Sequence, residues 1–321
     1  MAKPKLALYW AASCGGCEIA VLDIHEKILD VANAFDIVFW PAAMDFKYDA
    51  VRAMEDKSID LCLFNGSIRN SENLEMAHLM RSKSKVLVAF GSCALEGGIP
   101  GLANLTTKEA IWNAVYKESP STITKNGGTF PVTHTVMPEG PIEIPEMWNT
   151  VKSLDQVVEV EYYIPGCPPQ PEQIWNVIEH IMSGKPLPAK GAVLGATDKT
   201  CCDECPRERK EKKIKQFFRP FEIQTDPNEC LLDQGIVCMG PATRSGCDAL
   251  CTKANMPCRG CYGPPPNVVD QGAKMVSALS SVIDAQDPQE IERILDQIAD
   301  PMGTFYRFSL AHSILRRVEK S

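Results

Sequence analysis

"KLALYWAASCGGCEIAVLD", residues 5–23, decides the fold. The apolar run Lys5–Trp10 reads as a strand, and an amphipathic pattern over about 17–33 reads as a helix. Between them stand Cys14 and Cys17, separated by Gly15 and Gly16. The same alternation recurs downstream. "FDIVFW" (35–40), "IDLCLFNG" (59–66), "KVLVAFG" (85–91) and "VVEVEYYI" (157–164) read as strands. Helical patterns fall at 47–57, 71–83, 107–117 and 171–184, the last opening at Pro171 and stopping at Gly184. Apolar strands alternating with helices imply a parallel sheet covered on both faces. The expectation is an α/β, flavodoxin-like doubly wound domain over residues 1–190.

Residues 119–150 interrupt the alternation with five prolines and Gly127-Gly128. They read as a surface loop, although a loop this long usually serves a site or a partner. "SGKPLPAKGAVLGATDKT" (183–200) reads as a linker. Nine of the fourteen cysteines follow between Cys201 and Cys261, in a stretch poor in regular patterns that would need metal to hold its shape. Helical patterns at about 271–284 and 287–299 and a final amphipathic segment over 306–319 close the chain. Residues 191–321 are therefore expected to form a second, small cysteine-rich domain with C-terminal helices.

A chain of 321 residues has material for two domains, and its net charge of −8 disfavours nucleic-acid binding. No run is apolar enough to cross a bilayer, and Met1–Lys5 lead straight into the first strand. The expectation is a cytoplasmic protein without a membrane partner. Thiols stay reduced in that compartment, which favours metal binding over disulfides.

Cys14 and Cys17 follow the first strand, Cys93 (in "FGSCALEGG") the fourth and Cys167 (in "YIPGCPPQPEQ") the fifth. The carboxyl ends of parallel strands face one crevice, so these four thiols are expected to converge. Gly15, Gly16, Gly91 and Gly166 beside them allow close backbone approach. Taken alone, "CGGC" would suit a thioredoxin-like dithiol, but four convergent cysteines favour a cluster. "GSCALEGGIPG" lacks the Lys-Ser/Thr of a phosphate loop. Cys62, inside a strand pattern, reads as a small buried apolar residue.

In the second half, two C-x-x-C pairs (202/205 and 258/261) and two intermediate pairs (230/238 and 247/251) give eight ligands with Cys201 left over. Eight thiolates suit two four-cysteine sites, which zinc or 4Fe-4S clusters would both accept. Local spacing does not choose between them. The N-terminal site tips the balance toward clusters, because structural zinc at a sheet crevice is unusual.

Together, "SCGGCE", "GSCALEGGIPG", "PGCPP", "CDECPRERK", "CLLDQGIVCMGPATRSGC" and "PCRGCYGPPP" resemble the small subunit of NiFe hydrogenases. The resemblance runs through nearly the whole chain and is strongest to the cytoplasmic methyl-viologen-reducing, factor-420-non-reducing group. It implies an electron-transfer role beside a catalytic large subunit, with three 4Fe-4S clusters in a line. Position by position it implies Cys14, Cys17, Cys93 and Cys167 as proximal ligands. Cys247, Cys251, Cys258 and Cys261 become medial ligands, and Cys202, Cys205, Cys230 and Cys238 distal ones. Cys202 stands where the periplasmic enzymes carry histidine, and Cys251 near where they carry proline, so both sites would be all-cysteine 4Fe-4S. Cys201 could compete with Cys202.

The chain carries no paired C-x-x-C of the NiFe centre, so no catalytic residue is assigned to it. The acceptor implied is a small iron–sulfur adaptor subunit and a heterodisulfide reductase. A factor-420-reducing hydrogenase or a sulfhydrogenase is the alternative, and a non-redox zinc scaffold a further one. A complex I subunit would resemble the first half only. Glu18 reads as a helix-capping carboxylate or a proton relay. "RERKEKKIK" (207–215) reads as a solvated face that could also steer an acidic partner. Arg244 and Arg259 are candidates for sites near the clusters. The five histidines, in helical or loop patterns, read as ordinary residues.

Overall fold

A computed structural model describes residues 2–123, 127–210 and 213–317. The first half holds strands β1 (Lys5–Trp10), β2 (Asp36–Phe39), β3 (Ile59–Asn65), β4 (Ile68–Asn70), β5 (Ser84–Phe90), β6 (His134–Met137), β7 (Gly140–Glu143), β8 (Met147–Lys152) and β9 (Tyr162–Ile164). Its helices are α1 (Gly16–Leu22), α2 (Ile28–Ala34), α3 (Tyr48–Arg52), α4 (Ser71–Lys83), α5 (Ser92–Glu96), α6 (Lys108–Asn113) and α7 (Pro171–Met182). Beyond them lie α8 (Cys201–Glu204), α9 (Leu250–Lys253), α10 (Gln271–Ser280), α11 (Pro288–Leu295) and α12 (Pro301–Phe305).

Five strands form one parallel sheet in the order β2-β1-β3-β5-β9. Counted within the sheet this is 2-1-3-4-5, the flavodoxin-like winding expected from the sequence. Alternate residues of each strand enter opposite cores, as the period of two requires. Leu6, Leu8, Leu61, Leu63, Val88 and Phe90 pack on one face against Val21 of α1, Val31 of α2 and Ile174 of α7. Ala7, Tyr9, Phe64, Leu87 and Ala89 pack on the other against Val51 of α3 and Met76 and Met80 of α4. Cys62 is fully buried in this second core, as a small apolar residue would be. Local signals set the helix ends. The Asn70 side chain accepts from Asn73 N–H at 2.7 Å to start α4, and Gln170 with Gln173 boxes the Pro171 start of α7.

A separate core organises the second half, built from Ile214, Phe217, Leu231, Leu232, Ile236, Met275, Ile294 and Phe305. Polar contacts join the halves: Ser92 Oγ donates to the Cys261 carbonyl, Tyr262 OH to Gln173 Oε1 and Gln156 Nε2 to the Ala311 carbonyl.

Four sequence expectations are corrected. The 17–33 helix is two helices, α1 and α2, parted by a 3-10 turn whose His25 has a positive φ of 58°. In the expected strand 157–164 only 162–164 are strand. The loop 119–150 contains the hairpin β6–β7, whose first residue is His134, and the strand β8, which pairs antiparallel with β4. Residues 124–126 of that loop lie outside the described residues. The final segment is not one helix: α12 ends at Phe305 and only Leu310–His312 form a further 3-10 turn. Positions 318–319 of it lie outside the described residues.

Candidate metal centres

The carboxyl ends of β1, β5 and β9 lie along one sheet edge, and their loops carry Cys14 and Cys17, Cys93, and Cys167. Backbone bonds hold the loops together: Gly91 N–H donates to the Ile164 carbonyl and Ser92 N–H to the Gly166 carbonyl, both at 2.8 Å. Gly91 has φ of +82°, and a Cβ there would sit 2.3 Å from the Cys17 sulfur. Only glycine allows that approach without strain. A Cβ on Gly98 would likewise meet the Cys93 sulfur at 2.6 Å. Burial pushes the Cys17 thiol up, and the facing Cys93, Cys167 and Cys14 push it further. Cys93 is pushed up to about 12 by burial and by Cys167 and Cys14. The four thiols thus lie within electrostatic reach of one another. Such a donor set is a soft-metal site.

A second group joins Cys247, Cys251, Cys258 and Cys261. Burial raises Cys261 most, and it faces the other three as well as Cys167 of the first group. A third pocket is lined by Cys202, Cys205, Cys230 and Cys238, with Arg207, Arg209 and Thr252. A Cβ on Gly240 would stand 2.9 Å from the Cys202 sulfur and 3.7 Å from that of Cys238. The Cys205 thiol donates to Thr252 Oγ1 at 3.2 Å. Cys258 N–H donates to the Cys238 sulfur at 3.3 Å, linking the second group to the third. The three groups are therefore contiguous: first to second through Cys167 and Cys261, second to third through Cys258 and Cys238.

Cys201, left over in the sequence count, lies beside the second group. Its wall is shared with the third pocket, but its thiol hydrogen-bonds Cys247 and Cys258 of the second group. The sulfurs of Cys201 and Cys247 and a carboxylate oxygen of Glu204 all lie within 4.8 Å of one another. These bonds hold the Cys201 proton on and draw Cys258 down to about 7. Glu204 also accepts from the Gly246 and Ala249 N–H groups, bracing the Cys247 turn.

Three charged residues needed the structure. Glu18 does not cap its helix: it is buried, its carboxylate accepts from the Trp40 indole N–H, and burial raises its pKa. Glu96, three residues after Cys93, went unnoticed because nothing in the local pattern marks it. It is buried, its Oε2 has no hydrogen-bond partner among the described residues, and burial lifts it to about 7. Its Oε1 would be 3.0 Å from a Cβ on Gly263, so the carboxyl lies where the halves meet. Arg207 is buried and holds four carbonyl or amide oxygens beside the third pocket. The basic run 207–215 is otherwise largely exposed, and its positions 211–212 lie outside the described residues. Arg244 lies within reach of Glu96, and Arg259 within reach of Cys251 and Cys238. Of the histidines, His312 pairs with Asp155 at 3.3 Å and His134 with Glu143 at 3.3 Å.

A doubly wound sheet that gathers thiols at its ligand-binding edge, joined to a thiol-rich second half, is the architecture of a metal-carrying redox subunit. Residues 14–181, more than half of the chain, match the family model described as NADH ubiquinone oxidoreductase, 20 Kd subunit. The iron-sulfur subunit of the F420-non-reducing hydrogenase of Archaeoglobus profundus is 39% identical over 98% of both chains. A subunit of the F420-non-reducing hydrogenase of Methanothermobacter marburgensis is 36% identical over 98% of this chain and 96% of its own. The fold is also that of a chain in the reduced, active Ni-Fe-Se hydrogenase of Desulfomicrobium baculatum, with a TM-score of 0.50 at 17% identity, covering 83% of this chain and 96% of that one. The chain belongs to the NiFe hydrogenase small-subunit family, in the group found in F420-non-reducing hydrogenases. It is part of an oxidoreductase. No helix among the described residues is long and apolar enough to cross a membrane.

Proposed function

We propose that this chain is the electron-transfer subunit of a cytoplasmic F420-non-reducing NiFe hydrogenase, holding three 4Fe-4S clusters. Its partners in this reading are a catalytic large subunit and, at the far end, a small iron–sulfur adaptor and heterodisulfide reductase. The observation that carries the reading is the contiguity of three four-thiol groups. Cys14, Cys17, Cys93 and Cys167 would hold the proximal cluster. Cys247, Cys251, Cys258 and Cys261 would hold the medial one, and Cys202, Cys205, Cys230 and Cys238 the distal one. Bound there, the clusters would supply one-electron carriage.

The residues around them fit that chemistry. Twelve thiols in three close-set groups are the wrong surroundings for twelve separate thiolates and suitable ones for cationic iron. Gly91, Gly98 and Gly240 leave room at the sulfurs where any side chain would intrude. Cys258 N–H places a hydrogen-bond donor on the sulfur of Cys238, the kind of contact that tunes potential. Residues 1–190 would form the domain that carries the proximal site, and 191–321 the domain that carries the other two. All-thiolate ligation favours low potentials, suited to electrons from hydrogen.

The test is anaerobic iron and sulfide analysis of the purified complex, with EPR after dithionite reduction. About twelve irons and twelve sulfides per chain, beyond the large subunit's own iron, are expected from three 4Fe-4S clusters. Zinc without sulfide overturns the reading, and a high-potential cluster in this chain overturns its low-potential part.

A further inference from the structure

Arg219, Arg259 and Arg307 come from three separate stretches of the second half and line one cleft of about 120 Å³. We propose that this cleft binds one compact oxyanion of the phosphate or carboxylate class.

Among the described residues, none of the three guanidinium groups has an ion pair within 4.0 Å. Arg259 is half-buried and lies within charge range of Arg307 and Arg219. Cys251 and Cys238 lie within the same range. Nearby carboxylates are engaged elsewhere. Asp300 lines the cleft, but its Oδ1 accepts from Gly303 N–H at 2.9 Å to cap α12. Glu222 accepts from the backbone N–H of Arg219 at 2.7 Å. Arg307 spends only its Nε, on the Gly303 carbonyl at 3.0 Å.

Three guanidinium groups against the single carboxylate of Asp300 leave the lining of this concavity net positive, a charge that a bound anion would balance. Guanidinium forks match the oxygens of phosphate and carboxylate in particular. The volume suits such a group. Arg259 stands between Cys258 and Cys261, so a bound anion would add negative charge beside that loop. Its effect on a potential rests on the cluster reading above, whereas binding itself does not.

The test is calorimetric titration of the complex as isolated, in low-salt buffer, with inorganic phosphate and separately with acetate. One saturable site for either anion is expected, and which one binds names the chemistry. Arg219→Gln and Arg307→Gln should each weaken it about tenfold, the scale of one lost charge-assisted bond. Lys215→Gln, a change at an exposed lysine outside the cleft, should leave it unchanged. Absence of saturable binding for both anions, or unaltered affinity in both arginine variants, overturns the proposal. Neither readout needs iron, so failure here leaves the cluster reading standing, and loss of the cluster reading leaves the cleft standing.

Discussion

The sulfur of Cys201 lies within 4.8 Å of the sulfur of Cys247, forty-six residues along the chain. Its immediate neighbour Cys202 faces Cys238 and Gly240 instead. Adjacent residues at the start of α8 thus serve different groups, one behind the middle set and one in the far set.

From this, Cys201→Ser should alter the EPR signal and midpoint potential of the middle group and leave the far group unchanged. Cys202→Ser should do the reverse. Loss of the far signal in the Cys201 variant would reverse the assignment.

Gly91→Ala adds a Cβ 2.3 Å from the Cys17 sulfur at a φ of +82°. With ψ at 161° this backbone conformation is essentially confined to glycine, and the strain alone costs about 1–3 kcal/mol. Displacing the thiol should also remove roughly a third of the chain's iron, one cluster of three. Gly127→Ala has a φ of +83° but nothing within 4 Å, so it carries positive-φ strain without the clash. Iron analysis of the two variants separates the effects, and equal iron in both would contradict the account.

Glu96 is raised from 4.5 to about 7 by burial, against the opposing pull of His312 and Arg244. A carboxyl whose folded pKa lies above its unfolded one favours the fold most at low pH. That advantage declines as pH rises from the unfolded pKa and is gone above the folded one. Between pH 4.5 and 7 the complex should lose roughly 3 kcal/mol through this group. Glu96→Gln should flatten the Tm-against-pH curve over that window and raise Tm at about pH 8, above the folded pKa. An unchanged slope would remove Glu96 from the explanation.

Trp40→Phe deletes the indole N–H that donates to the Glu18 carboxylate while keeping most of the ring volume. A buried acceptor left without its donor costs about 1–3 kcal/mol. Denaturant unfolding of the two proteins measures the loss, and an unchanged midpoint would mean that the contact holds nothing in place.

The winding order and the convergence of Cys14, Cys17, Cys93 and Cys167 were legible because apolar runs and turn glycines are local, and parallel topology does the rest. The break at His25 was not. Val21 and Ile24 before it and Val31 after it all enter one core, so the periodicity runs on while the backbone turns. The hairpin β6–β7 was hidden because both strands are largely exposed and carry no alternation of buried residues. In the final segment tertiary contacts prevail: Asp270 accepts from Ile314 N–H, and the Ala311 carbonyl is held by Gln156. Glu96 and the contacts of Cys201 with Cys247 and Cys258 were not legible for one reason, since the partners lie on distant segments.

The polar seam between the halves has a mechanical consequence. Apolar faces can slide over one another with little loss, but Ser92 to Cys261, Tyr262 to Gln173 and Gln156 to Ala311 are directional bonds with one register. Two of the three sit on or beside residues that flank the cysteine groups. The seam therefore acts as a gauge: its directional bonds fix the spacing between the first cysteine group and the second.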